Sequence, residues 1–202
     1  MCSSDLSARR RPVLGMVRYE TYAPGMHRRG DLHTLNVLGA AVDVLARELK
    51  AVETTAAGGP GGRAAALTAL AAFCSGSPIQ RLAHSLGLSH SRTVRLVDRL
   101  EAEHLVTRTR DDDNRRNVHV SLTASGRQLA ESITAARLES LRPDLETLDR
   151  ADRAALERIS ATILARRITH LTAAEETCRL CDPEACGHPD RCPVTRAADA
   201  YR

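Results

Sequence analysis

Four cysteines near the end of the chain have the residue type and the spacing of a metal-binding site. They are Cys178, Cys181, Cys186 and Cys192, which follow the pattern C-x2-C-x4-C-x5-C. Only Cys2 and Cys74 lie elsewhere in the sequence, so chance clustering is a poor explanation. Zinc and iron–sulfur clusters both select thiolates, and the intervening Asp-Pro, Gly and His-Pro turns would let the segment fold around one centre. We therefore predict a cysteine-ligated metal or iron–sulfur centre.

An iron–sulfur cluster is favoured over zinc at this centre. Structural zinc sites usually carry two C-x2-C pairs set well apart, and this segment has one. The compact spacing, with Pro193 after the last cysteine, is typical of iron–sulfur ligation, although neither ferredoxin spacing is matched. His188 could substitute as a ligand, but a loop histidine between glycine and proline is more often solvated. Uncoordinated redox thiols are the third alternative. A framework of disulfides is disfavoured in a cytoplasmic protein.

A second group of residues, between Ser77 and Thr123, could contact DNA. The sequence predicts two helices separated by Gly87. Ser77, followed by Pro78 and Gln80, is expected to cap the first helix, and Ser89 the second. The second helix has an apolar stripe of Val94, Val97 and Leu100, which leaves a polar face toward solvent or a ligand.

This polar face carries the residues that we predict to bind DNA: Ser89, His90, Ser91, Arg92, Thr93 and Arg95. Arginine suits bidentate contact with guanine in the major groove, and the helix N-terminus suits phosphate. Arg99 is expected to form a surface ion pair with Asp98, Glu101 or Glu103.

The runs L-V-T-R-T-R and V-H-V-S-L-T alternate apolar and polar residues, and D-D-D-N-R-R-N lies between them. This pattern predicts a β-hairpin. Arg115 and Arg116 at its tip would reach an adjacent minor groove, where narrow A·T tracts attract arginine.

At these residues the sequence resembles the MarR family of bacterial transcriptional regulators. The matching segments are L-A-H-S-L-G-L-S, V-R-L-V-D-R-L-E-A-E-H-L-V, D-D-D-N-R-R and L-T-A-S-G-R, and the resemblance covers roughly residues 31–177. It implies a mainly α fold with a small β-hairpin wing: a winged helix-turn-helix in a dimer that binds a pseudo-palindromic operator in double-stranded DNA. It also implies a small-molecule effector between the dimer helices and the winged domain. Two positions depart from the family pattern: His104 replaces a left-handed glycine, and Asn114 replaces a wing aspartate.

Composition narrows the class of protein. The chain of 202 residues has one Phe, three Tyr and no Trp, which argues against single-strand binders that stack bases on aromatic side chains. Six arginines in residues 1–30, against Asp5 and Glu20, account for the whole net charge of +4, so overall basicity is no evidence for DNA binding. No apolar run approaches a membrane span and no signal core is found, so we expect a cytoplasmic protein.

The chain is expected to have three parts. Residues 1–30 would be a basic, flexible tail, and residues 31–177 the MarR-like domain, with dimerisation helices at about 31–52 and 124–177 around a winged helix-turn-helix at about 63–123. Residues 178–202 would be the cysteine-rich tail. Within the domain, Thr123 and Asp149 are expected to start helices, the latter reaching Thr177 with an apolar stripe of Leu156, Ile159, Ile163 and Leu171. Cys74 is expected to be a core thiol.

These features favour a homodimeric transcriptional regulator, redox- or metal-responsive through the cysteine centre. The alternative is a ligand-responsive repressor in which that site is purely structural zinc. We predict no enzymatic activity, since the sequence lacks a Gly-rich phosphate loop, H-E-x-x-H and G-x-S-x-G. A helical adaptor that merely dimerises would not need an arginine-tipped hairpin.

Overall fold

The computed structural model describes residues 29–110 and 118–201. The chain divides into two compact units, Met1–Val42 and Asp43–Arg202. In the first unit the described residues belong to helix α1 (Arg29–Ala56), which continues into the second unit. From Asp31 to Val42 every side chain of α1 is exposed.

The second unit is mainly helical, with one small sheet. After the end of α1, its elements are α2 (Arg63–Ala69) with a π-helical continuation (Leu70–Cys74), β1 (Ser77–Pro78), α3 (Ile79–Leu86), α4 (His90–Ala102), β2 (Val106–Arg110), β3 (Val118–Leu122), α5 (Ala124–Ser140), α6 (Arg142–Glu146), α7 (Arg150–Arg167), α8 (Leu171–Cys178), α9 (Pro193–Ala198) and a 3-10 turn (Asp199–Tyr201). The predicted fold class, mainly α with a winged helix-turn-helix, is confirmed.

The sheet is antiparallel, with strand order β1-β3-β2. Strands β2 and β3 form the predicted hairpin, pairing Val106 with Leu122 and Arg110 with Val118. Strand β1 adds a third strand, in which Ser77 pairs with Val120.

Local sequence signals place most helix ends correctly. Gly87 ends α3 in the left-handed conformation with a φ of 62°, which glycine adopts without steric cost. The predicted N-caps Ser89, Thr123 and Asp149 are confirmed, since each side chain accepts the backbone N–H three residues further on.

The predicted cap at Ser77 is wrong. Pro78 occupies the N-cap position of α3 without a side-chain hydrogen bond, and Ser77 belongs to β1. Ser77 Oγ accepts a hydrogen bond from Arg81, 3.2 Å away, while Gln80 Nε2 contacts His84 Nε2 at 2.8 Å. Strand pairing with β3 therefore overrides the local capping-box pattern.

The core of the second unit joins the helix-turn-helix to the sheet and to α5. Its largest fully buried aliphatic side chains are Leu67, Leu70, Leu82, Val97, Leu100, Val106, Val120 and Ile133. They come from α2 with its π-helical continuation, α3, α4, both hairpin strands and α5, so α4 is anchored from several sides.

The long final helix predicted from Asp149 to Thr177 is also wrong. Helix α7 ends at Arg167, and α8 starts after His170, whose Nδ1 accepts the Ala173 N–H at 3.1 Å. Between them Ile168 has an extended backbone and is 4 % exposed, packed with Cys192, Val194 and Ala198. Burial of Ile168 against the cysteine-rich tail therefore competes successfully with helix continuation. Of the predicted stripe, Leu156, Ile159 and Ile163 remain together on α7.

None of the helices in the described ranges has the length and apolar character needed to span a bilayer.

Gly126 lies where α5 touches the loop that precedes the hairpin. A Cβ at this position would lie 2.0 Å from the carbonyl oxygen of Leu105 and 3.2 Å from a methyl of Leu122. The obstructing oxygen belongs to the backbone, so relief requires a shift of the chain.

We expect Gly126→Ala to lower the free energy of unfolding by about 1–3 kcal/mol, because it overpacks this contact. Urea denaturation monitored by circular dichroism measures the change. Ser125→Ala, at the exposed neighbouring position, is the control and should shift stability by less than about 0.5 kcal/mol. Equal stability of the two variants would contradict the close approach.

Candidate functional site

The N-terminal turns of α4 present polar and basic side chains to solvent. Ser89 Oγ accepts the Arg92 N–H at 3.4 Å, and His90, Ser91, Arg92 and Arg95 are exposed. The opposite face of α4 is buried by Leu96, Val97 and Leu100. The helix is therefore held by its apolar face, while its polar face remains open to a ligand.

Thr93 does not belong to the exposed face. It is 0 % exposed, and its hydroxyl donates to the Ser89 carbonyl at 3.1 Å, so the expectation that it faces solvent is wrong. The spacing of Thr93, Val97 and Leu100 is that of one helix face, which would have placed the threonine inside.

Three arginines of α4 line one cavity with a glycine-rich loop. Arg92, Arg95 and Arg99 border a space of about 390 Å³, whose other walls include Gly61, Gly62 and Leu88. Three guanidinium groups within one concave surface favour an anionic ligand.

Arg99 lines this cavity, and the three acidic residues expected to pair with it are paired with other arginines. Arg108 pairs with Asp98 and Glu101, and Arg63 pairs with Glu103. The hydrogen bond from Arg63 lowers the pKa of the Glu103 carboxyl, and Arg99 adds a smaller contribution. The predicted ion pair of Arg99 is therefore replaced by pairs that involve α2 and β2.

Arg108 fastens α4 to the hairpin. Its guanidinium lies 2.7 Å from Asp98 and 3.1 Å from Glu101, and it donates to the Val94 carbonyl at 3.3 Å. Arg108 stands two residues after the buried Val106 on the inner side of β2, facing two acids spaced three residues apart on α4. Sequence reasoning missed this role, although the alternation of β2 could have indicated it.

The hairpin tip lies outside the described residues, and with it the predicted contacts Arg115 and Arg116 and the departure at Asn114. Arg110, the last described residue of β2, is exposed. It borders a second space of about 660 Å³ together with Gln80, His90 and Val94. The hairpin thus adds a basic side chain beside the start of α4.

The left-handed position predicted for His104 is confirmed, with a φ of 57°. The His104 N–H donates to the Glu101 carbonyl, and the Leu105 N–H donates to the Leu100 carbonyl, both at 2.9 Å. These are the two bonds of a Schellman motif, which ends α4 and leads into β2.

The four tail cysteines all line one cavity of about 400 Å³. Cys178 ends α8, Cys192 immediately precedes α9, and the other two lie on the turns between these helices. All four are thiols without disulfide bonds. Within residues 29–110 and 118–201, no three histidine, cysteine, aspartate or glutamate side chains converge closely enough to hold a single metal ion as they stand.

Interactions between the thiols shift their pKa values in opposite directions. A hydrogen bond between Cys178 and Cys181 raises the pKa of Cys178 and lowers that of Cys181 to about 7. Burial, followed by the interaction with Cys192, raises the pKa of Cys186 to about 11. Burial of Cys192 is outweighed by hydrogen bonds from Thr195 and the backbone, which lower its pKa. Hydrogen bonds therefore link Cys178 to Cys181 and Cys186 to Cys192, and charge interactions connect the two pairs.

Helix α8 is bonded to the helix-turn-helix through Glu175. One carboxylate oxygen accepts from Arg81 Nη2 at 2.8 Å and from Arg81 Nε at 3.0 Å, and the other accepts from the Ser85 hydroxyl at 2.8 Å. Just after α8, the Arg179 carbonyl accepts from Thr68 Oγ1 at 2.5 Å. Sequence reasoning missed these contacts, because nothing local to α3 indicates a partner some 90 residues away.

The predicted core position of Cys74 is confirmed. It is 0 % exposed, and its sulfur lies 3.4 Å from Ser85 Oγ. Burial raises the pKa of the Cys74 thiol, which is opposite to the shift expected of a reactive cysteine.

The structure assigns Arg108 a stabilising role that can be tested separately from any ligand. We expect Arg108→Met to lower the free energy of unfolding by about 0.5–1.5 kcal/mol, because it removes the ion pairs with the partly exposed Asp98 and Glu101 and one hydrogen bond to the Val94 carbonyl. Urea denaturation measures the loss. Arg110→Met, on the same strand but exposed, should change stability by less than about 0.5 kcal/mol. Unchanged stability of the Arg108 variant would show that this ion pair does not fasten the hairpin.

Comparison with known proteins finds a family that one segment of the chain matches. Residues 75–118 match the MarR family, whereas no curated protein matches the chain. A MarR family protein from Bacillus stearothermophilus superposes with a TM-score of 0.59 at 23 % identity, covering 69 % of this chain and 96 % of that one.

Two further solved structures share the fold. RV1404 from Mycobacterium tuberculosis has a TM-score of 0.56 at 22 % identity, covering 81 % of this chain and 98 % of that one. A MepR–DNA complex from S. aureus has a TM-score of 0.52 at 19 % identity, covering 63 % and 96 %. The chain therefore has the winged-helix fold of MarR-type structures, and residues 75–118 within it are its match to the MarR family.

Proposed function

We propose that the protein is a transcription regulator that binds double-stranded DNA as a homodimer at a pseudo-palindromic operator. The observation that carries this proposal is the exposed polar and basic face at the start of α4, on a helix buried along its other side. Such a helix can enter the major groove while its scaffold stays outside. The match of residues 75–118 to the MarR family supports the same function. A binding protein of this kind needs no catalytic residues, and it would act in the cytoplasm.

The exposed residues of α4 have distinct roles in this proposal. Arg92 and Arg95, with Ser91 between them in the chain, face the bases, since guanidinium groups can donate two hydrogen bonds to guanine. Ser89 and His90 lie at the helix N-terminus, where backbone N–H groups and the helix dipole favour phosphate. Thr93 is omitted from the contact set because it is buried.

The basic hairpin and the arginine-lined cavity would extend the contact beyond α4. Arg110 is exposed at the described end of β2, and Arg115 and Arg116 follow it in sequence at the predicted tip. We assign these two arginines to an adjacent minor groove. Arg99, with its expected acidic partners taken by Arg108 and Arg63, is available for a backbone phosphate. The MepR–DNA complex, which shares this fold, supports DNA binding in general.

Homodimerisation is supported by exposed apolar side chains on helices at both ends of the predicted domain. On α7, Leu156, Ile159 and Ile163 are 46, 48 and 41 % exposed and lie at the spacing of one helix face. In the first unit, the side chains of Leu35, Leu38 and Val42 on α1 are 53, 46 and 53 % exposed. A second copy would remove these side chains from water and place two α4 helices on one duplex.

The finer part of the proposal is that DNA binding responds to the redox or metal state of the cysteine tail. Helix α8, which ends in Cys178, is bonded through Glu175 to Arg81 and Ser85 on α3, the helix before α4. A change in the cysteine segment could therefore alter the support of the DNA-reading helix. The alternative is a regulator controlled by a small-molecule effector, in which the cysteines hold a purely structural zinc ion.

Arg95→Ala should weaken binding to the operator by about 1–3 kcal/mol, or about 5- to 150-fold, and relax one base preference, because it removes a base contact. A band-shift titration on a duplex selected from a random pool measures both effects. Arg150→Ala removes the same charge from exposed α7 and is the matched control. Unchanged affinity and base preference in the Arg95 variant would refute its assignment.

Operator affinity should depend on the state of the tail cysteines. The affinity of the wild-type protein for its operator should change about 5- to 150-fold when a chelator removes the metal or cluster from the tail cysteines. This is the usual range of coupling between two sites. Glu175→Gln should reduce this change, because it replaces the carboxylate bonded to Arg81 and Ser85 with a neutral amide. Fluorescence anisotropy with and without chelator measures both.

Glu176→Gln is the matched control for this experiment, since its side chain is not part of the Arg81–Glu175–Ser85 group. Identical affinity of the loaded and stripped wild-type protein would favour the alternative, in which the tail is purely structural.

A further inference from the structure

We propose that Cys178, Cys181, Cys186 and Cys192 bind one iron–sulfur cluster in the cavity that they line between α8 and α9. This inference goes beyond the proposed DNA-binding function and does not depend on it. The first observation is geometric: four thiols spread over fifteen residues of chain are brought to the wall of one cavity of about 400 Å³.

The other polar side chains at the cavity already have partners within the protein. Glu175 accepts from Arg81 and Ser85, and His188 Nδ1 lies 2.8 Å from Thr195 Oγ1. Each of these groups is thus held by a neighbour rather than directed at a ligand.

Asp182, which stands next to Cys181, is also engaged. Its Oδ1 accepts the backbone N–H groups of Glu184 and Ala185 at 2.9 and 3.1 Å and so shapes the turn between the second and third cysteines. The groups left to bind a ligand are the four thiols. An all-thiolate set selects iron–sulfur clusters and zinc over harder metals.

The arrangement of the thiols separates these two cofactors. Tetrahedral zinc requires four sulfur atoms at about 2.3 Å from one point. In the described residues no three cysteine, histidine, aspartate or glutamate side chains converge on one point, yet all four thiols line one cavity of about 400 Å³. A cluster is ligated at separate iron atoms, so it can be held by thiols that lie apart on the wall of one cavity.

The surroundings also suit a cluster. Apolar side chains of Phe73, Leu171 and Val194 form part of the cavity wall. Cys192 is 3 % exposed and receives hydrogen bonds from Thr195 and from the backbone of Val194. Hydrogen bonds to the ligand sulfur atoms and exclusion of solvent are two of the means by which a protein sets the reduction potential of a cluster.

The cluster would also explain how this segment holds its fold. Between Cys178 and Cys192 the chain forms turns, and its one large aliphatic side chain, Leu180, packs against the core of the winged helix. This segment has little apolar surface of its own to bury. Binding of a metal centre would therefore stabilise its folded form.

The test is the metal content and absorbance of the full-length protein purified without oxygen. We expect iron and acid-labile sulfide together, with a brown colour from sulfur-to-iron charge transfer. Protein isolated without cofactor should gain the same absorbance when supplied with ferrous iron and sulfide under reducing conditions. Colourless protein with one zinc per chain would overturn the proposal, as would protein that takes up neither metal and keeps four titratable tail thiols.

Variants tie the cofactor to these residues. Cys181→Ser and Cys186→Ser, one from each pair, should each lose most of the absorbance and of the bound iron. Cys2→Ser, which changes a cysteine outside the tail, should keep both. If a tail variant lost helical circular dichroism, metal analysis of the wild-type protein would still decide the question. Because neither measurement uses DNA, failure here leaves the proposed DNA-binding function intact.

Discussion

The burial of one face of α4 is the constraint on which the remaining structure depends. Thr93, Val97 and Leu100 are fully buried, and Leu96 is 2 % exposed. Rotation of the helix about its axis would therefore remove these side chains from the core. Arg108 then fixes the same helix to β2 through Asp98 and Glu101. These two restraints determine which side chains of α4 remain available to a ligand.

The cysteine-rich tail is attached to this restrained unit at several points. Leu180 packs on the winged-helix core, and the Arg179 carbonyl accepts a hydrogen bond from Thr68. Glu175 on α8, the helix that leads into the tail, is bonded to α3. Ile168, which follows the end of α7, packs against Cys192 of the tail. The tail is therefore attached to the elements that support α4, which is the physical basis for proposing that the state of the cysteines affects DNA binding.

The features predictable from sequence were those determined by residues close together in the chain. Gly87 and the caps at Ser89, Thr123 and Asp149 follow from local backbone chemistry, whereas the left-handed position of His104 was implied by the family resemblance. Predictions failed where contacts with distant segments override the local pattern. Ser77 pairs with β3 and forms a strand, and Ile168 packs against the tail and interrupts a helix. The contact of Glu175 with Arg81 has no local signature at all. On the proposed DNA-binding face of α4, the apolar spacing predicted which side chains are exposed, except that Thr93 is buried.

The central claim is that two copies of the chain present matched α4 helices to successive turns of one duplex. Selection of bound duplexes from a random pool, followed by sequencing and by the mass of the complex in solution, tests it most directly. We predict an enriched inverted repeat, with half-site centres about one helical turn of 10 base pairs apart and two chains per duplex. The absence of any enriched sequence, or a single half-site bound by one chain, would contradict the account.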